Sequence, residues 1–144
     1  MPEQNYANHA RLVTGFHRIL YPILLAAWIG SGVNLWRSWG DHARLYSAAL
    51  LFVLIFAVMV IGIYARVFAL RAQDRAIRAE ENLRHYVLTG KLMDPRLSVK
   101  QIVALRFAPD EEFVGLAARA AADSMEPDAI KRAIKTWRAD DYRV

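Results

Sequence analysis

Leu45-Tyr46-Ser47-Ala48-Ala49-Leu50-Leu51-Phe52-Val53-Leu54-Ile55-Phe56-Ala57-Val58-Met59-Val60-Ile61-Gly62-Ile63-Tyr64-Ala65 runs for 21 residues without a charge. As a helix it extends about 31 Å, close to the hydrocarbon thickness of a bilayer. It holds no proline and is apolar on every side, as a lipid-immersed helix requires. The alternative, a buried helix of a soluble protein, needs a covering layer that a chain of 144 residues does not supply. The stretch reads as a transmembrane helix.

Working toward the N-terminus, Ile19 to Trp36 is a second uncharged run, of 18 residues. Pro22 lies in its first turn or two, where a missing amide donor costs least. A helix beginning well before Phe16 would instead be kinked there. A cleaved signal peptide competes for such a segment, but the run is too long and lacks a small-x-small site followed by a polar chain. Residues 37–44 join the two runs, so they are expected to form an antiparallel hairpin.

Charge sets the orientation. Residues 1–44 carry four Lys/Arg and two Asp/Glu, residues 66–91 six and three, and residues 92–144 nine and nine. The surplus that gives the net +5 therefore flanks the apolar runs. Nucleic-acid binding would call for a basic stripe on a folded domain instead, so no nucleic-acid partner is expected. Arg37 and Arg44 in the loop balance Arg11 and Arg18 before the first run. Arg66, Arg71, Arg75, Arg78 and Arg84 after the second run break the tie, placing both termini in the cytoplasm. Trp36, Trp39 and Tyr46 fit an outer aromatic belt, and Tyr64 with Phe68 an inner one.

Nothing stops the second helix at residue 65. Val67 to Leu88 contains no proline or glycine and is rich in strong helix formers. Asp74 precedes Arg78 by four, as Glu80 precedes Arg84, the favourable order for pairs worth about 0.3 kcal/mol each. Thr89-Gly90 supplies the stop, so one helix is expected from about Leu45 to Leu88. Beyond the Met93-Asp94-Pro95 turn, Ser98-Val99-Lys100-Gln101 is a capping box opening a helix to about Phe107. Another is expected from Pro109 with Asp110, Glu111 and Glu112 in its first turn, burying Phe113, Leu116, Ala117 and Ala120. A third begins at Pro127 and carries a stripe of Ile130, Ala133, Ile134 and Trp137. So small a helical domain is marginal alone and is expected to dock on the long helix, the membrane surface or a partner.

Three stretches bear a resemblance: Gln73-Asp74-Arg75 with Ile77-Arg78, Glu80, Leu83-Arg84 and Leu88-Thr89-Gly90-Lys91; Ala104-Leu105-Arg106-Phe107-Ala108 with Asp110 and Glu112-Phe113; and Ala129-Ile130-Lys131, Ala133-Ile134-Lys135, Trp137-Arg138-Ala139-Asp140 and Arg143-Val144. Together with Gln4-Asn5-Tyr6, Asn8-His9-Ala10-Arg11, the chain resembles a bacterial family of small membrane proteins of unknown function, some of whose members are labelled transport permeases. The resemblance implies two spans and a cytoplasmic helical tail, and carries no activity.

The residues offer no catalytic constellation. With no cysteine, a disulfide framework, thiolate metal sites and a cysteine nucleophile are excluded. His9, His17, His42 and His85 are scattered without ligand spacing. Phosphate-loop, dinucleotide and nucleophile motifs are missing, and no cofactor is expected. A transport path is usually marked by intramembrane ionisable residues, which neither run contains.

The expectation is an all-α protein of the bacterial inner membrane. It comprises a polar arm (1–15), a first transmembrane helix with its loop (16–44), a second helix continuing into the cytoplasm (45–90) and a helical tail (91–144). Ala26 and Gly30, with Asn34 on the same face, are its candidate packing residues, and Ala27 with Ser31 forms a second small-residue pair. Arg66, Arg71, Asp74, Arg75, Arg78, Glu80 and Arg84 are the candidates for contact with anionic headgroups or a partner. The expected role is non-enzymatic, an accessory or scaffold subunit presenting its tail to a protein partner or a second copy. The alternative is an oligomeric transporter or channel component.

Overall fold

The computed structural model describes residues 4–8 and 12–140. The expectations for His9, Arg11, Arg143 and Val144 fall outside the described residues. Among the described residues every regular element is helical: a π-helical stretch Thr14–Leu20, then α1 (Tyr21–Arg37), α2 (His42–Thr89), α3 (Val99–Leu105), α4 (Asp110–Ala122) and α5 (Pro127–Ala133). The chain divides into two compact units, residues 12–68 and residues 69–144 with 1–11, and the division falls inside α2.

In the first unit the helical chain begins at Thr14, earlier than the apolar run, with Pro22 at the second residue of α1. An α-helix continuing through Pro22 would lose a hydrogen bond and press the ring on the carbonyl four residues back. The π-helical stretch ends just before it, with the Tyr21 N–H donating to the Phe16 carbonyl five residues earlier. Gly40, at φ +97°, turns the chain after α1. Asp41 then opens α2, its carboxylate accepting the Arg44 N–H at 3.2 Å.

Aromatic stacking joins α1 to α2. The Trp28 ring stacks on Phe52 at 5.4 Å and lies 6.2 Å from Phe56. Gly32 faces Phe52, where an added Cβ would meet the ring at 3.4 Å, and Gly62 faces the Tyr21 hydroxyl. Both α1 with its π-helical start and α2 are long and apolar enough to cross a membrane, and only 6% of each apolar window is buried within the protein.

The second unit has its own core. Leu105, Phe107, Phe113 and Ile130 are fully buried, joined by Ile102, Leu116, Ala117 and Ala120. α3 packs on both α4 and α5. Its capping box forms as read: the Ser98 hydroxyl accepts the Gln101 N–H, and the Gln101 side chain accepts the Ser98 N–H. α2 ends at Thr89, and Gly90 just beyond it has a left-handed φ of +71°.

Two boundaries differ from the expectation. Pro109 is the N-cap of α4 and not its first helical residue. α5 stops at Ala133, so Ile134 and Trp137 leave the helix and run on as an extended strap. The cause is Glu112, whose carboxylate accepts the N–H groups of Lys135 and Thr136, each at 3.0 Å. The strap continues with the Arg138 N–H donating to the Phe107 carbonyl at 2.8 Å and the Trp137 ring 4.8 Å from that of Phe107.

Candidate functional site

The polar centre of the second unit is built on the inward face of α2. Ile77 and Glu81 are buried there, one turn apart, and Arg84 follows a turn later. The Arg84 side chain, 13% exposed, donates Nη1 to Glu81 Oε2 at 3.0 Å, Nη2 to the Ala108 carbonyl at 2.8 Å and Nε to Asp110 Oδ1 at 2.7 Å. Its guanidinium also lies 4.2 Å from the Phe113 ring centroid. A buried charge needs such partners, and Arg84 and Glu81 supply each other's. Arg84 is therefore turned inward, while Arg71, Arg75, Arg78 and Glu80 are exposed and Arg66 and Asp74 half-buried. Instead of the anticipated Glu80, Arg84 takes Glu81 and Asp110.

Beside this pair lies a cavity of about 390 Å³ whose polar lining comes from Gln73, Glu80, Glu81, Arg106, Arg138 and Asp140. Arg106 donates Nε to Asp140 Oδ2 at 2.7 Å and Nη1 to the Val103 carbonyl, its guanidinium 4.2 Å from the Phe107 ring centroid. Arg138 approaches Glu81 Oε1 only to 3.9 Å. The N-terminal arm joins the same unit: Gln4 accepts the Asp140 N–H at 2.8 Å, and the Tyr6 hydroxyl donates to Asp128 at 2.6 Å. Arg132 donates to that hydroxyl, which, ahead of Asp128, holds the guanidinium above its ordinary range. Burial pushes the Lys131 ammonium down.

The helix-packing candidates belong to the first unit. Ala26 and Asn34 are exposed on α1, and a Cβ on Gly30 would meet nothing within 4 Å. Among the α1 residues Ser31 is the buried one, its hydroxyl donating to the Trp28 carbonyl. His85 Nδ1 lies 2.7 Å from the Lys91 carbonyl oxygen, which fixes a proton on that nitrogen. Among the described residues no three acidic or histidine side chains converge on a point suited to a metal ion.

Glu81 and the Arg106–Asp140 pair escaped the sequence reading. For Glu81 a signal existed: it sits four residues after Ile77 and three before Arg84, on one helical face. Nothing local marks Asp140 as the partner of Arg106, 34 residues earlier.

A family model for a family of unknown function, DUF6526, matches residues 1–144. The chain belongs to the DUF6526 family. No curated protein and no solved structure matches it. The stretches that carry the resemblance have physical roles. Ala104, Leu105, Phe107, Ala108 and Phe113 form the core, Asp110 and Glu112 tether it to α2 and to the strap, and Gln73, Glu80, Arg106, Arg138 and Asp140 line the cavity.

Proposed function

We propose that this DUF6526 protein is a small integral protein of the bacterial inner membrane, acting as a non-enzymatic accessory or scaffold subunit. Its two apolar helices form an antiparallel hairpin, with both termini and the helical unit in the cytoplasm. The observation that carries the membrane reading is that the apolar windows of both helices lie almost wholly exposed while residues 69–140 enclose a separate core. A soluble protein would bury those windows first, since each large apolar side chain removed from water contributes about 1.5–3 kcal/mol. The contacts within the first unit favour a hairpin. Tyr21 meets Gly62, Trp28 meets Phe56 and Gly32 meets Phe52, so positions advance along α1 as they retreat along α2. Gln4 and Tyr6 bonded to Asp140 and Asp128 are in keeping with an even number of crossings.

With Arg84 turned inward and Glu80 at the cavity, Arg71, Asp74, Arg75 and Arg78 remain as the face for anionic headgroups or a partner. Reporter fusions at residue 40 and at the C-terminus test the topology, with opposite activities expected and equal ones overturning it. Crosslinked pull-downs from membranes, with the intact protein and with a variant carrying Arg71→Ser and Arg78→Ser, test the scaffold role. Loss of a partner from the variant is expected, and identical lists would refute the assignment of that face.

A further inference from the structure

Past the candidate span, the outward face of α2 carries a pattern its charged composition conceals. Ala69, Ala72, Ala76, Ala79, Leu83 and Tyr86 follow one another at spacings of 3, 4, 3, 4 and 3 residues. This is the a/d register of a heptad, with Ala69, Ala76 and Leu83 at a and Ala72, Ala79 and Tyr86 at d. All but Ala69 are exposed, Leu83 at 63% and Tyr86 at 53%. The unit's own packing centres on an adjacent side of the helix, that of Ile77, Glu81 and Arg84, and its cavity reaches only the edge of the stripe, at Ala76 and Glu80.

The flanking residues specify the occupant. In this register Arg75 is a g position and Glu80 the e position five residues on, both exposed. When two copies of the helix lie parallel and in register, g of one faces that e of the other, so each Arg75 meets the partner copy's Glu80, twice by symmetry. We infer that α2 pairs with α2 of a second copy along this seam as a parallel coiled coil. The parallel sense rests on the proposed function, because two copies inserted alike in one membrane point their second helices the same way. Alanine at a and d lets the backbones approach closely, and confinement to a membrane raises the effective concentration that so short a seam needs.

The chain has no cysteine, so single cysteines report the contact directly in membranes containing the full-length protein. Ala72→Cys, Ala79→Cys, Leu83→Cys and Tyr86→Cys are expected to give disulfide-linked dimers on mild oxidation, and Asp74→Cys and Arg78→Cys none. Arg75→Glu in the Ala79→Cys background should lower the dimer about fivefold, and adding Glu80→Arg should restore it. Crosslinks confined to one mid-seam position mean an antiparallel pair. Equal crosslinking at all sites, none at any, or adducts of a mass other than twice the chain mean another occupant or none. Each of these results overturns the inference. Resistance of the same variants to alkaline carbonate extraction reads out membrane insertion separately, so failure of the seam is distinguishable from failure of the membrane reading.

Discussion

Glu81 Oε2 lies 3.0 Å from Arg84 Nη1, with the two side chains only 7% and 13% exposed. Truncating either partner leaves the other charge in a poorly solvated place, which costs about 3–5 kcal/mol for a buried pair. Arg84→Ala is therefore expected to lower the melting temperature of the detergent-solubilised protein sharply. The double variant Glu81→Leu with Arg84→Met should recover much of that loss. A double variant as unstable as Arg84→Ala would mean that Arg84 matters through Asp110 and the Ala108 carbonyl instead.

Ser124 follows α4 with φ +50°, and the Met125 N–H closes back on the Ala120 carbonyl at 3.1 Å. That is the left-handed helix ending where glycine is favoured and serine is strained. Ser124→Gly is expected to stabilise the unit by about 0.5–1 kcal/mol, read as a raised denaturation midpoint. A lowered midpoint would refute the strain argument.

Ser98→Ala removes the hydroxyl that accepts the Gln101 N–H. A loss of about 1 kcal/mol is expected, as for helix N-caps generally, with Ser98→Asp close to neutral. Faster amide exchange confined to residues 99–105 would locate the effect in α3.

Asp94 is held down at about 2 by the hydrogen bond from the Arg96 side chain, then by the Arg96 N–H. An unfolded chain titrates it near 3.9, so the folded state has the lower value. Its contribution to stability is therefore present above that unfolded value and disappears as the pH falls through about 2. The pair lies at the surface, with Arg96 exposed and Asp94 half-buried, so the effect shows best in the carboxyl NMR shift. A midpoint near 2 is expected, moving up in Arg96→Ala toward the ordinary value.

Gly32 and Gly30 are neighbours in sequence with different surroundings. Gly32 faces the Phe52 ring, whereas Gly30 opens on empty space. Gly32→Leu is expected to cost about 1–3 kcal/mol through overpacking. Gly30→Leu should stay within about 0.5 kcal/mol, measured by thermal unfolding in the same detergent.

Local signals were legible and long-range ones were not. Composition and the Thr89-Gly90 stop place α2 within a few residues of its true ends, and the capping box places the start of α3. Both depend on residues within a turn of each other. The end of α5 depends on Glu112, more than 20 residues earlier, which takes amide protons that a continuing helix would otherwise use. Gly30 and Gly32 are equally small in the sequence, and only the position of Phe52 decides which one is in contact. Glu80 and Glu81 likewise differ only in which side of α2 the core occupies, so their contrasting environments follow from packing that no short window contains.

The bond from Tyr6 to Asp128 spans 122 residues, and that from Asp140 to Gln4 spans 136. A ribosome releases the first arm long before its docking place exists. Residues 4–8 must therefore wait, unclasped, until both apolar helices and the whole α3–α5 cluster have been made. Fastening the arm is thus a late event in biogenesis, and a bulky tag before residue 4 would interfere with maturation at its final stage while leaving the earlier steps untouched.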